Sequence, residues 1–246
     1  MGAPMRPPKA ILFDLDGTLI YEPQKRIAYL EALAGEFAHA FDPFTPTEAA
    51  ARLERQFEIF WSDGERHREW RRRPLLEARI WISEAAFAGL RDEGAAGASA
   101  ALARAFGERF HAERQAQTAC VPGAHETLAA FRKRGVTLAL VTNGGSASQR
   151  EKIARFALGD YFDHIQIEGE AGFGKPEAAA YRHALAALGA EPTHAWMVGD
   201  NLEWEVSAPQ ALGIAGVWCD LHGAGLPADA TARPDRIVRA LAELLD

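Results

Sequence analysis

Asp14 and Asp16 stand two residues apart where a short apolar run, Ala10-Ile11-Leu12-Phe13, meets Gly17. Residues i and i+2 of a strand point the same way, so this spacing aims two carboxylates at one spot, and Gly17 lets the chain turn off the strand end. Such a pair can divide labour as nucleophile and acid/base, or share a divalent cation. An EF-hand loop opens with similar aspartate spacing, but its sixth position needs Gly and its twelfth Glu, where this chain has Leu19 and Lys25. A plain turn, with Asp and Gly serving the backbone, stays open from these residues alone.

The elements that would position the pair alternate along the chain. After the strand at 10–13, strand-like runs fall at 136–142, 165–168, 195–198 and 215–218, and helical patterns at 124–133, 149–157, 177–188, 203–212 and 235–244. This alternation predicts an α/β fold: a doubly wound, Rossmann-like parallel sheet with crossover helices. Residues 21–118 interrupt it with helical patterning rich in Ala, Arg, Glu and aromatics, and read as an inserted, mainly α-helical domain. The expected organisation is an α/β core over 1–20 and 119–246, with a helical insertion over 21–118. Pro43, Pro46, Pro74 and the stretch 94–97 mark breaks between its helices.

In a doubly wound sheet, ligands sit beyond the carboxyl ends of the strands, so those ends form one place in space. Asp14 and Asp16 end the first strand, Thr142-Asn143-Gly144 the second and Gly199-Asp200-Asn201 the fourth, while Lys175 lies in the loop after the third. Each has a bland reading: Thr142 and Asn143 as a turn cap, Asp200 as a helix N-cap, Lys175 as a solvated loop residue. Together they form a constellation suited to Mg²⁺ and phosphate, with hard oxygen ligands for the ion and donors for the anion. The run from Gly169 to Gly174-Lys175 imitates the start of a nucleotide-binding P-loop. Pro176 breaks that match where a Ser or Thr is needed, and looks instead like the first residue of a helix.

In order and placement, Asp14-Leu15-Asp16-Gly17-Thr18, Thr142-Asn143, Gly174-Lys175-Pro176 and Gly199-Asp200 resemble the four motifs of the haloacid dehalogenase superfamily, specifically its phosphatase-like members. The resemblance covers residues 9–20 and about 120–225, and the insertion falls where such proteins carry a helical cap. It implies an Mg²⁺-dependent phosphatase with Asp14 as nucleophile, forming an aspartyl-phosphate, and Asp16 as acid and then base. Thr142 and the Asn143 region would hold phosphoryl oxygens, and Lys175 would neutralise charge between nucleophile and phosphate. Asp14, the main-chain carbonyl of Asp16, and Asp200 would bind the ion. Asp16 also favours phosphate chemistry over dehalogenation, because an alkoxide leaving group needs a proton and a halide does not. Where many relatives carry a second Asp five residues after the fourth-motif aspartate, this chain has Glu205, either an outer partner of the ion or a solvated residue of a first helical turn.

The rest of the chain narrows the partners. A net charge of -7 argues against a polyanion-binding surface, so nucleic acid is not expected. Cys120 and Cys219 are isolated, with no second Cys at metal or redox spacing, which argues against a disulfide framework and a zinc site. No apolar run suits a signal peptide or membrane span, and a cytoplasmic monomer or homodimer acting on a small phosphorylated substrate is expected. Arginines within 66–73 could meet a second substrate anion, but interleaved Glu65 and Glu69 fit a solvated helix face better. Trp61, Trp70 and Trp81 read as core of the insertion, and Trp204 as packing. A phosphomutase on the same core, or a catalytically idle binding module, are the competing readings.

Overall fold

A computed structural model describes residues 6–70 and 72–246, apart from the side chains of His67 and Arg68. The chain divides into two compact units: one runs to Tyr21 and resumes over Ala119–Asp246, the other spans Glu22–Thr118.

In the first unit, β1 (Ala10–Phe13) is followed by β2 (Ile20–Tyr21), which pairs antiparallel with β3 (Ala119–Cys120) where the chain leaves and re-enters. Then come β4 (Thr137–Thr142), β5 (His164–Ile167), β6 (Ala195–Gly199), β7 (Ala215–Cys219) and β8 (Arg236–Val238). The parallel sheet has the order β5-β4-β1-β6-β7-β8, so the winding direction reverses beside β1. Alternate β1 residues face opposite layers, and both layers are apolar. Ile11 and Phe13 pack with Leu128 and Phe131 of helix Ala124–Lys133, while Ala10 and Leu12 pack with Tyr181 and Ala184 of helix Ala178–Leu188. A strand buried on both faces explains why these sequences are continuously apolar rather than alternating.

Three expected elements differ. The helix expected at 235–244 is instead the edge strand β8, paired with β7, followed by a 3-10 turn over Leu241–Leu245. The β-branched pair Ile237-Val238 suits a strand, and Asp220 N–H extends the ladder to the Val238 carbonyl. The helix expected at 203–212 begins as a wider π-helical turn, Leu202–Ser207. Pro176 does not open a helix: it follows a cis peptide bond in a turn, and the helix starts at Ala178 with Glu177 as its cap residue.

The second unit consists of helices Arg26–Glu36, Ala38–Phe41, Pro46–Ser62, Gly64–Trp70, Leu75–Asp92 and Ala100–Gln117. Pro46 sits at a helix start behind a capping box, in which Thr45 accepts from Glu48 N–H and Glu48 accepts from Thr45 N–H. Its core is aromatic, with Phe41 and Phe87 edge to face at 5.0 Å. Trp61 and Trp70 pack against that core; Trp81 remains 37% exposed beneath the Arg66 guanidinium. In the arginine run, Arg66 stacks over Phe60 and Trp81, and Arg73 pairs with Glu69; Arg71 and the side chains of His67 and Arg68 lie outside the described residues.

Candidate active site

The carboxyl ends of β1, β4 and β6 and the loop after β5 bring the expected residues together in the first unit. Asp14, Asp16, Thr142, Asn143, Asp200, Asn201 and Trp204 line a cavity of about 280 Å³. Asp14 is only 7% exposed, and its main-chain N–H continues the ladder to Val198, which fixes its place at the centre of the sheet.

Lys175 lies behind it. Its ammonium donates to Asp14 Oδ1 at 2.5 Å and to Glu205 Oε1 at 2.7 Å, with 1% of the side chain exposed. Burial would drive this amine toward neutrality, but the Asp14 and Glu205 carboxylates reverse that and raise its pKa above the ordinary lysine value. For Asp14, burial raises the carboxyl and the adjacent ammonium opposes it. Lys175 is thus a buried, doubly paired cation and not a solvated loop residue.

Of the two readings of Glu205, the solvated one fails. It is 1% exposed, and its second oxygen accepts from Asn201 N–H at 2.8 Å. Burial pushes its carboxyl upward and Lys175 pulls it back. Both oxygens accept from N–H donors, so the ionised form is the one this geometry holds. The side chain fits only because Gly199 lacks a Cβ, which would stand 2.0 Å from Glu205 Cγ. The π-helical turn carries Glu205 under the strand end, as such widened turns do near functional sites.

Asp200 is not the helix cap. Asn201 takes that role, accepting from Glu203 and Trp204 N–H at 3.0 Å, which leaves the Asp200 carboxylate to the cavity. Burial, with the Asp14 charge beside it, pushes the Asp200 carboxyl up to about 7. It lies directly over Gly17, at φ +83, where a Cβ would come within 2.3 Å of Oδ2. That close approach brings Asp200 onto the turn that follows Asp16. Asp14 and Asp200 both face the cavity, and their carboxylate oxygens are the hard donors that could hold Mg²⁺. Among the described residues no three His, Cys, Asp or Glu side chains make a metal cage.

Thr142 and Asn143 end β4. Both amide groups of Asn143 are engaged with Lys175, whose carbonyl accepts at 2.7 Å and whose N–H donates at 2.8 Å. Asn143 therefore clasps the Lys175 loop as well as lining the cavity. Trp204, expected to pack only, also lines it.

Asp16 is 48% exposed, and its oxygens meet two residues that motif reading missed. Lys152 donates to both, at 2.7 and 2.9 Å, and Gln149 donates to Oδ2 at 2.8 Å. The surrounding protein works to raise the Asp16 carboxyl, yet Lys152 and Gln149 outweigh it and hold the group below the ordinary aspartate value. The available signal was a glutamine on the sheet-facing side of helix Ser146–Arg155, four residues before buried Ile153.

A family model described as haloacid dehalogenase-like hydrolase matches residues 8–213. The chain is 36% identical over 249 residues to a phosphoserine phosphatase of Thermus thermophilus, covering 96% of this chain and 97% of that protein. It is 30% identical over 232 residues to a ribulose-1,5-bisphosphate 5-phosphatase of Halopiger xanaduensis, covering 92% and 90%. Among solved structures, the putative HAD-hydrolase YfnB of Bacillus subtilis superposes with a TM-score of 0.67 at 22% identity, covering 97% of each chain.

Proposed function

The chain belongs to the haloacid dehalogenase-like hydrolases, as a phosphatase-like member, and from that premise we propose that it hydrolyses a small phosphomonoester through an aspartyl-phosphate on Asp14, with Mg²⁺ as cofactor. The observation that carries the reading is Asp14 itself: a buried carboxylate, backed by Lys175 and Glu205, that faces a cavity shared with Asp16, Thr142 and Asp200. Full-length relatives named as phosphatases support the reaction class.

In this reading the substrate binds as its monoanion and passes its phosphate proton to Asp16; an Asp14 oxygen attacks phosphorus, the bond from phosphorus to the leaving oxygen breaks, and Asp16 gives that alkoxide the proton. Water then attacks the phosphorus of the aspartyl-phosphate and gives a proton to Asp16, and the bond to Asp14 breaks to release phosphate. Thr142 donates to a phosphoryl oxygen, while Lys175 offsets the charge of nucleophile and phosphate. Mg²⁺, held by Asp14, Asp200 and the Asp16 carbonyl, would screen the carboxylate from the phosphate and stabilise the transferring group. We read the helical insertion as the cap that selects the substrate. It leaves and rejoins the α/β unit through β2 and β3, only a few residues beyond Asp16.

Phosphate release from p-nitrophenyl phosphate and from a panel of sugar and amino-acid phosphates tests this. Turnover should require Mg²⁺, stop with EDTA, and vanish in Asp14→Asn while the melting temperature holds. Turnover near the wild-type rate in Asp14→Asn would sink the mechanism.

A further inference from the structure

We propose that Gln149 and Lys152 are positioning residues that hold the Asp16 carboxylate and the Thr142 hydroxyl as one unit, so that phosphate capture and placement of the acid/base group are coupled. The proposal rests on the phosphatase reading and deepens it. Residues three apart on a helix share a face, and in helix Ser146–Arg155 this pair lies on the side toward the strand ends. Gln149 is 2% exposed, and an amide buried to that degree must find its hydrogen bonds inside the protein.

The bonds it finds dictate its orientation. Lys152 Nζ donates to Gln149 Oε1 at 2.9 Å, and Gln149 Nε2 donates to Asp16 Oδ2 at 2.8 Å and to Thr142 Oγ1 at 2.6 Å. An ammonium can only donate and a carboxylate only accept, so reversing the amide would set donor against donor at Lys152 and acceptor against acceptor at Asp16, and the Nε2 group is the one that faces Thr142.

This polarity passes to Thr142. Since Gln149 donates to its oxygen, the hydroxyl hydrogen must point elsewhere, and its acceptor is the Asn143 carbonyl at 3.3 Å, a long contact for a hydroxyl. An anionic phosphoryl oxygen is the stronger acceptor. Gln149 therefore makes Thr142 a donor toward the cavity. On the other side, Lys152 straddles both Asp16 oxygens and Gln149 adds a third bond, which sets the rotamer of a side chain that still lines the cavity. Neither Gln149 nor Lys152 is among the lining residues, so both act through Asp16 and Thr142.

The test compares glycerol phosphate, whose alkoxide must be protonated, with p-nitrophenyl phosphate, whose leaving group needs little help. Lys152→Met should lower kcat on glycerol phosphate by about 10- to 100-fold, the loss typical of an outer positioning partner, and leave KM unchanged. The first-turnover release of p-nitrophenolate, which precedes the step in which Asp16 serves as base, should stay within about threefold, and Lys152→Arg should recover most of the loss. Gln149→Leu should show the same selective kcat loss and also raise KM for both substrates, because Thr142 loses its orienting donor. Gln149→Glu, which keeps the size and replaces donor by acceptor, must reproduce that pattern. A first-turnover loss on p-nitrophenyl phosphate equal to the loss on glycerol phosphate, no loss on either, or losses that follow the melting temperature and are not recovered by Lys152→Arg would each overturn the proposal while leaving the phosphatase reading intact. A wild-type chain that releases phosphate from neither substrate would remove that reading and this proposal with it.

Discussion

Buried charge separates the two units. At the end of the sheet Asp14, Lys175 and Glu205 are bonded in a row, each less than a tenth exposed. The helical unit buries Phe41, Phe57, Phe60, Phe87, Phe106 and Phe110, and its buried Arg79 is bonded to His111 and paired with Glu22. Enclosing ions is unfavourable unless each is paired, so a fold that encloses several at one strand end is shaped there by chemistry and not by stability. In the helical unit the residue types answer mainly to the volume they fill.

The largest effect expected from this contrast follows Lys175→Met. Without the ammonium, two buried carboxylates are left unpaired, which should destabilise the α/β unit by about 3–5 kcal/mol and lower turnover on the order of 10³-fold. Thermal unfolding with steady-state kinetics checks both, and an unchanged melting temperature would contradict the buried-ion account. Phe106→Ala should also cost about 3–5 kcal/mol, as a fully buried aromatic truncated in a packed core. Here turnover of p-nitrophenyl phosphate per folded molecule should stay near wild type. A loss of that turnover at temperatures where the variant is folded would show that the helical core also serves the chemistry.

The smallest effect is on acid stability. Because the folded Asp16 carboxyl is held below its ordinary value, its pairing stabilises the fold above the unfolded aspartate pKa of about 3.9, and that contribution is lost as pH falls through the lower folded value. With the side chain half exposed, it should stay under about 1 kcal/mol. Asp16→Asn should flatten this acid-side loss; superimposable acid-unfolding curves would leave the Lys152 pairing with no share in stability.

What the sequence made legible was local. The two aspartates on one side of a strand end, the Gly-Asp after β6 and the Thr-Asn after β4 declare themselves through spacing and turn residues. The bonds that organise them are not local. Glu205 meets Lys175 across 30 positions, by way of a widened helical turn and a glycine that makes room for it. Gln149 meets Asp16 across 133 positions, and nothing near either residue announces the other. The missed strand β8 is a three-residue edge whose partner is decided by tertiary pairing, so its apolar run was open to a helical reading. In the helical insertion, boundaries at Pro46 and Pro74 follow from proline chemistry, while the exposure of Trp81 depends on which helix faces which.

The claim that Asp14 is the nucleophile is tested most directly by acid quench. Wild-type protein is mixed with Mg²⁺ and a substrate labelled at phosphorus, denatured in acid within the first turnover, and digested for peptide mapping. The account predicts acid-stable label on the peptide containing Asp14, discharged on longer incubation before the quench, and no label in Asp14→Asn. Label on another residue, or full turnover in Asp14→Asn, would contradict it.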